Sequence, residues 1–169
     1  MMGNVYVYPQ AFSAIAPRKT QLKHHIQLFL VDIGGYTTDV LLLRSGKPDM
    51  QFCRSLEMGV ITMNNDIIRR VNALHDMRIE DEHISAVLAG KETILPEAVK
   101  KTIRESAGHH AKDILDKLRE LQVDLRANPA VFIGGGSNRT AEEWAPLLRD
   151  AVDALDARRK RLRLERLTR

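Results

Sequence analysis

A single cysteine, Cys53, stands in the whole chain, which excludes an internal disulfide and fits a reducing compartment. No apolar run approaches the ~20 residues that a membrane-spanning helix needs. The N-terminal Met1-Met2-Gly3-Asn4 has no basic segment leading into an apolar one, so no secretory signal is visible and a cytoplasmic location is expected. Aromatics are scarce at 5%, and Trp144 and the three tyrosines are too scattered for a base-stacking platform. Ser13, Ser45 and Ser137 lack the Gly-x-Ser-x-Gly context of a hydrolase nucleophile. None of the six histidines (His24, His25, His75, His83, His109, His110) is paired with cysteine or carboxylate at ligand spacing, so solvated imidazoles are expected. Cys53 falls in a strand pattern, where a buried small apolar side chain is expected rather than a nucleophile.

What is present is an ordinary soluble composition, 44% apolar and 28% charged over 169 residues, enough for one domain with a core. The charge is uneven. Residues 158–169, "RRKRLRLERLTR", carry seven Arg/Lys against one glutamate, a net +6; the whole chain is +4, so the rest carries −2. Such a tail suits nucleic acid or an acidic surface, and equally suits a solvated helix end.

The pattern along the chain is α/β. Val5-Tyr6-Val7-Tyr8 alternates as a strand and stops at Pro9, and residues 11–25 read as a short helix broken near Pro17. Strands are expected at 27–33, 37–44 and 49–56, with Ser45-Gly46-Lys47-Pro48 as the second turn. From Gly59 the period becomes helical, through Ile61, Ile67, Ile68, Val71 and Leu74. A short helix over 82–89 ends at Gly90. Pro96 opens the longest helix, whose apolar face is Val99, Ile103, Ala107, Ala111, Ile114 or Leu115, Leu118 and Leu121. A short strand over 130–133 runs into Gly134-Gly135-Gly136-Ser137, and a last helix starts near Thr140 with Glu143 completing a capping box.

Two places deliver a strand into glycines: Asp32-Ile33-Gly34-Gly35-Tyr36-Thr37-Thr38-Asp39, and Gly134 to Ser137. Such loops present bare backbone N–H groups to an anion, because a side chain would hold the anion away. The first adds Asp32 at the strand end, where a carboxylate can hold hydrated Mg²⁺ against nucleotide phosphates. Thr37 and Thr38 can donate hydroxyls to phosphate oxygens. A glycine hairpin alone is usually only a hairpin; both features in this order form a pattern.

"VDIGGYTTDV" resembles the second phosphate motif, D-x-G-x-x-T-x-D, of the actin, sugar-kinase and heat-shock chaperone superfamily. "VFIGGGSNR" resembles its adenosine motif, and "VYVYPQAFSAIA" the end of its first domain and the interdomain helix. The closest look is to ParM/StbA-type actin-like plasmid-segregation proteins, including their MreB-like C-terminal domain. The resemblance covers about residues 4–140. It implies a ribonuclease H-like, actin-like domain II: a mixed sheet built from a three-strand meander plus a parallel strand, with a helical sub-lobe. The expected boundaries are 1–26 for the end of the first domain and interdomain helix, 27–157 for the nucleotide-binding domain with its sub-lobe at about 60–125, and 158–169 for the basic tail.

By the same resemblance, ATP and Mg²⁺ are the cofactors. Gln10, which lies 22 positions before Asp32, would place the attacking water, and Asp32 would hold the Mg²⁺-bound water. Gly34, Gly35, Tyr36 and Thr37, with the Thr38 hydroxyl, would line the β- and γ-phosphates. Gly134, Gly135, Gly136 and Ser137 would approach the adenosine and α-phosphate, and Gly59 the base. The family's first phosphate motif has no counterpart in these residues, nor has its segment returning to the first domain; the Arg-rich tail stands there instead. The chain is therefore expected to be the nucleotide-binding half of a filament-forming ATPase of plasmid or mobile-element segregation, weakly active or inactive alone, since phosphoryl transfer needs charge stabilisation from both sides. Self-association into filaments and a DNA-binding adaptor protein are the implied partners, without a membrane. The alternatives are a non-catalytic interaction module on an actin-like fold and a cell-shape, MreB-like relative.

Overall fold

The computed structural model describes residues 25–125 and 127–133. The strand at 5–8, Gln10, Gly134 to Ser137, the helix from Thr140 and the basic tail lie outside the described residues. Seven elements follow in order: β1 (Gln27–Ile33), β2 (Thr38–Arg44), β3 (Lys47–Leu56), α1 (Val60–His75), α2 (Asp81–Leu88), α3 (Glu97–Glu120) and β4 (Ala130–Ile133).

The chain divides into two compact units, and the described part of the first is residues 25–60, 118–125 and 127–133. Its sheet has the order β3-β2-β1-β4, with β1, β2 and β3 antiparallel and β4 parallel to β1. It is the mixed α/β sheet expected from the motif order. Leu28–Val31 and Val40–Leu43 are buried residue after residue, so both faces of the central strands are covered, which is why they read as continuous apolar runs. Leu28, Leu30, Leu41 and Leu43 form one buried cluster, with Val131 and Ile133 packed against it.

The β2–β3 turn is tighter than expected. Ser45 and Gly46 have φ of 48° and 74°, the double positive signature of a two-residue hairpin turn. Lys47 and Pro48 already pair with Arg44 and Leu43. Pro48 is tolerated because β3 is an edge strand among the described residues. The same edge position corrects the expectation for Cys53, which is exposed. Opposite the Leu41/Leu42 step β3 bulges; the Gln51 N–H donates to Asp49 Oδ1 (3.1 Å) and the Phe52 ring meets Phe29 edge-on at 5.6 Å.

The second unit, over residues 61–117 of the described chain, is helical. In α1 the buried stripe is Met63, Asn64, Ile67 and Val71, while Leu74 is 61% exposed and Ile61 and Ile68 are half-buried. The apolar phase is rotated from the expected one, because Met63 and Asn64 take inward positions that a count of branched residues passes over. Glu80 and His83 cap α2 reciprocally, the Glu80 N–H donating to His83 Nδ1 at 3.1 Å. Gly90 (φ +69°) ends it, with the Lys91 N–H donating to the Ala86 carbonyl and the Gly90 N–H to that of Val87. α3 buries the expected face, including both Ile114 and Leu115; Leu121 lies beyond the helix and is half-buried. His75 Nε2 lies 2.8 Å from Thr102 Oγ1, which donates to the Ala98 carbonyl at 3.1 Å. The hydroxyl's proton is thus spent, so it accepts from a protonated Nε2. The contact sets the C-terminal end of α1 beside the start of α3, making the two helices antiparallel. His75 and His83 are therefore held by hydrogen bonds and His110 is half-buried, which corrects the expectation of solvated imidazoles.

Candidate functional site

β1 ends in Asp32-Ile33 and the chain turns at once. The Gly34 N–H donates to the Thr37 carbonyl at 2.8 Å, closing a four-residue turn into β2. Register places Asp32 directly opposite Asp39, on the sheet face of the leucine cluster. Both carboxylates are half-buried. Burial pushes the Asp32 carboxyl above the usual carboxylate range, and the negative charge of Asp39 adds to the shift. Sequence reasoning noticed Asp39 without giving it a role; the last position of the D-x-G-x-x-T-x-D motif was the available signal.

The turn is braced from behind. The Val60 N–H donates to the Gly34 carbonyl at 3.0 Å, and the fully buried Thr38 hydroxyl donates to the Met58 carbonyl at 2.5 Å. Between those two bonds comes Gly59, so close to the turn that a Cβ there would sit 2.3 Å from the Gly35 oxygen. Only glycine permits that approach. Six of the named residues, Asp32, Gly34, Gly35, Tyr36, Thr37 and Gly59, thus gather with Thr38 at one end of the sheet. Their duties differ. The Gly34 amide and the Thr38 hydroxyl are engaged inside the protein, whereas Tyr36 at the tip is 70% exposed and Thr37 is half-buried. Ile133, which precedes Gly134, is the register partner of Asp32, so the parallel strands β1 and β4 end at the same side of the sheet.

The family model described as the archaeal actin homologue MreB-like, C-terminal, matches residues 30–144. This chain belongs to that family. No curated protein matches it. Among solved structures it is similar to the archaeal actin homolog Ta0583 in complex with ADP, at 21% identity and a TM-score of 0.57 over 83% of this chain and 48% of that one. It is similar to a chain of the PilM–PilN type IV pilus biogenesis complex, at 20% identity and 0.56, covering 88% of this chain and 40% of that one. It also matches a 15-stranded ParM filament from Clostridium botulinum, at 15% identity and 0.59, covering 84% of this chain and 45% of that one. The fold is actin-like, and the chain spans about half or less of the length of these structures.

Proposed function

We propose that the Asp32–Asp39 loop is the phosphate-binding turn of an actin-type nucleotide-binding domain, taking ATP or ADP with Mg²⁺. The observation that carries this reading is the braced Gly34–Thr37 turn at the end of β1, with a half-buried carboxylate beside it. Ligands of open α/β sheets collect where strands deliver their C-terminal ends, and β1 and β4 deliver theirs on the same side. The likeness to an ADP-bound actin homolog supports it.

In this reading the backbone of Gly35, Tyr36 and Thr37 and the Thr37 hydroxyl face the β- and γ-phosphates. Gly34, Thr38 and Gly59 hold that backbone in shape. Gly134, Gly135, Gly136 and Ser137 approach the adenosine, and Gln10 orients the attacking water. Among the described residues no three His, Cys, Asp or Glu side chains converge as a cage for an ion. That suits Mg²⁺, which is usually held through one or two carboxylates, its own waters and the phosphates. Asp32 and Asp39 fit it, since a cation beside them relieves the repulsion that raises Asp32. When bound, Mg²⁺ supplies charge neutralisation for the phosphates.

The wider role in this reading is that of a ParM-type filament protein of plasmid or mobile-element segregation. It acts in the cytoplasm, associates with copies of itself and an adaptor, and keeps its basic tail available to nucleic acid. Hydrolysis calls for a second phosphate-holding element from the first domain. A second reading, a non-catalytic interaction module, is favoured by one observation: two candidate donors, the Gly34 amide and the Thr38 hydroxyl, are already used internally. Titration calorimetry separates the two. Weak ATP binding that needs Mg²⁺ and vanishes in Asp32→Ala is the expected result. Absent binding, or tight binding indifferent to Asp32, would pass the case to the interaction module.

A further inference from the structure

The helical unit contains an open pocket of about 160 Å³ that the nucleotide reading does not use. It lies between matching stripes of α1 and α3. Met63 and Ile67, 2% and 0% exposed, give it an apolar floor. The contact of His75 with Thr102 fixes the levels of the two helices. Arg70 therefore comes level with Ser106 at one end, and Asp66 with His110 and Asp113 at the other. The ends are separated by about 6 Å along α1, from Asp66 to Arg70, and by about 10 Å along α3, from Ser106 to Asp113, at ~1.5 Å per residue.

Each end has a feature that asks for a ligand. The Ser106 Oγ is buried in the pocket wall and makes no hydrogen bond among the described residues, not even to the carbonyl one turn back that a helical serine commonly uses. Leaving such a hydroxyl unpaired costs roughly 1–3 kcal/mol. Arg70 makes no ion pair among the described residues either; the guanidinium that engages Asp66 belongs to Arg69. At the other end, Asp113 and Asp66 face His110, which burial holds toward its neutral form; Asp66 is already engaged by Arg69, so Asp113 carries the charge that the imidazole leaves uncancelled.

The chemistry excludes simpler occupants. Asp113, with the Arg69-paired Asp66 beside it, disfavours a plain anion, and Arg70 repels a plain cation. Among the described residues no three ligating side chains are grouped for a metal ion. A cavity of ~150 Å³ takes a six-carbon ring, so this one admits a molecule of that order. We propose that the α1–α3 pocket binds a small zwitterion of the amino-acid class. Its carboxylate lies against Arg70 and the Ser106 hydroxyl, its ammonium against Asp66 and Asp113, and its methylenes over Met63 and Ile67. None of these residues belongs to the phosphate turn, so the proposal stands or falls apart from nucleotide binding.

The test uses the full chain, ¹⁵N-labelled, titrated with glycine, β-alanine and γ-aminobutyrate, and with acetate and methylammonium as half-ligands. Saturable shifts at Arg70, Ser106 and Asp113 are expected with at least one zwitterion, at a Kd at least about tenfold below that of either half-ligand, which is ~1.4 kcal/mol. Arg70→Gln is expected to weaken that binding about tenfold while the spectrum stays folded, because Arg70 is exposed. Ser106→Ala, which removes a hydroxyl without a protein partner, is expected to weaken it severalfold without lowering stability. No saturable shift with any zwitterion overturns the proposal, as does a half-ligand that binds as tightly as the best zwitterion, or affinity unchanged in Arg70→Gln.

Discussion

The Cα of Gly59 abuts the carbonyl of Gly35, with 2.3 Å left between that oxygen and the place a Cβ would take. Two residues 24 apart in the chain thus fix each other's backbone, flanked by the Val60–Gly34 and Thr38–Met58 hydrogen bonds. A methyl at position 59 meets main chain, which cannot swing aside as a side-chain end can. Gly59→Ala is expected to push the Gly34–Thr37 turn out of place and to cost about 1–3 kcal/mol, the usual range for overpacking. Urea denaturation measures the loss, and nucleotide titration should show weakened binding. Unchanged stability and unchanged binding would mean that the turn is not held from this side.

Much of this was legible beforehand, for a physical reason. β1 and β2 are covered on both faces, so each appears as an unbroken apolar run around a glycine pair. α3 is long enough for its stripe to repeat six times in phase, and its buried face came out as expected. Other features depend on partners that no local pattern announces. Thr38 and Thr37 look equivalent in sequence, yet only Thr38 points at the Met58 carbonyl. Cys53 looked buried because strand residues usually are, but β3 is an edge strand among the described residues. The α1–α3 pocket has no metal-ligand spacing to announce it; its signal in the sequence is the helical spacing of His109 and His110 with Ser106 and Asp113.

Asp32 carries the pH dependence of the turn. Its folded carboxyl is raised, first by burial and then by Asp39. The native state therefore holds this proton to higher pH than the unfolded chain does. The associated stability is full below the unfolded value and is lost as pH rises through the folded one. At neutral pH the charged form is a burden that a bound cation relieves. Asp32→Asn is expected to make the nucleotide-free protein more stable at neutral pH and to abolish Mg²⁺-dependent nucleotide binding. Thermal melts in acidic and neutral buffer check the first effect and calorimetry the second; a destabilised variant at neutral pH would contradict the assignment.

His110 acts with the opposite sign. Burial lowers its pKa, and Asp113 and Asp66 offset only part of the shift. The unfolded chain takes up this proton at about 6.5, before the native state does. Stability is thus full above that value and declines as pH falls from there toward the folded value. His110→Gln should flatten this segment of the stability curve while leaving the region above neutrality alone. An unchanged slope between mildly acidic and neutral pH in the variant would rule His110 out as the source.

Gly108 sits inside α3 with open space where a Cβ would go. Glycine in a helix interior costs roughly 1 kcal/mol relative to alanine, largely through the freedom it has when unfolded. Gly108→Ala is expected to raise stability by up to about that amount, as thermal or urea denaturation would measure. A loss of stability would mean that the backbone at 108 needs a conformation alanine resists.

Hydrolysis is the sharpest test of the nucleotide reading, because Gln10 and the turn supply different things. An amide side chain can orient a water through hydrogen bonds but is too weak a base to take its proton, so positioning is all that Gln10 offers. Orientation accelerates the reaction only when the γ-phosphate is held in line with the water and its developing charge is stabilised. In the nucleotide reading the braced turn would grip the phosphates from one side. In these 169 residues no second glycine hairpin with its own aspartate supplies the other. The chain assayed by itself is expected to release no phosphate from ATP above background. Addition of an actin-type first domain in trans should restore some turnover, and Gln10→Ala should then remove most of it. Robust, Gln10-dependent release from the chain alone would show that a single braced turn is enough to hold the γ-phosphate for attack.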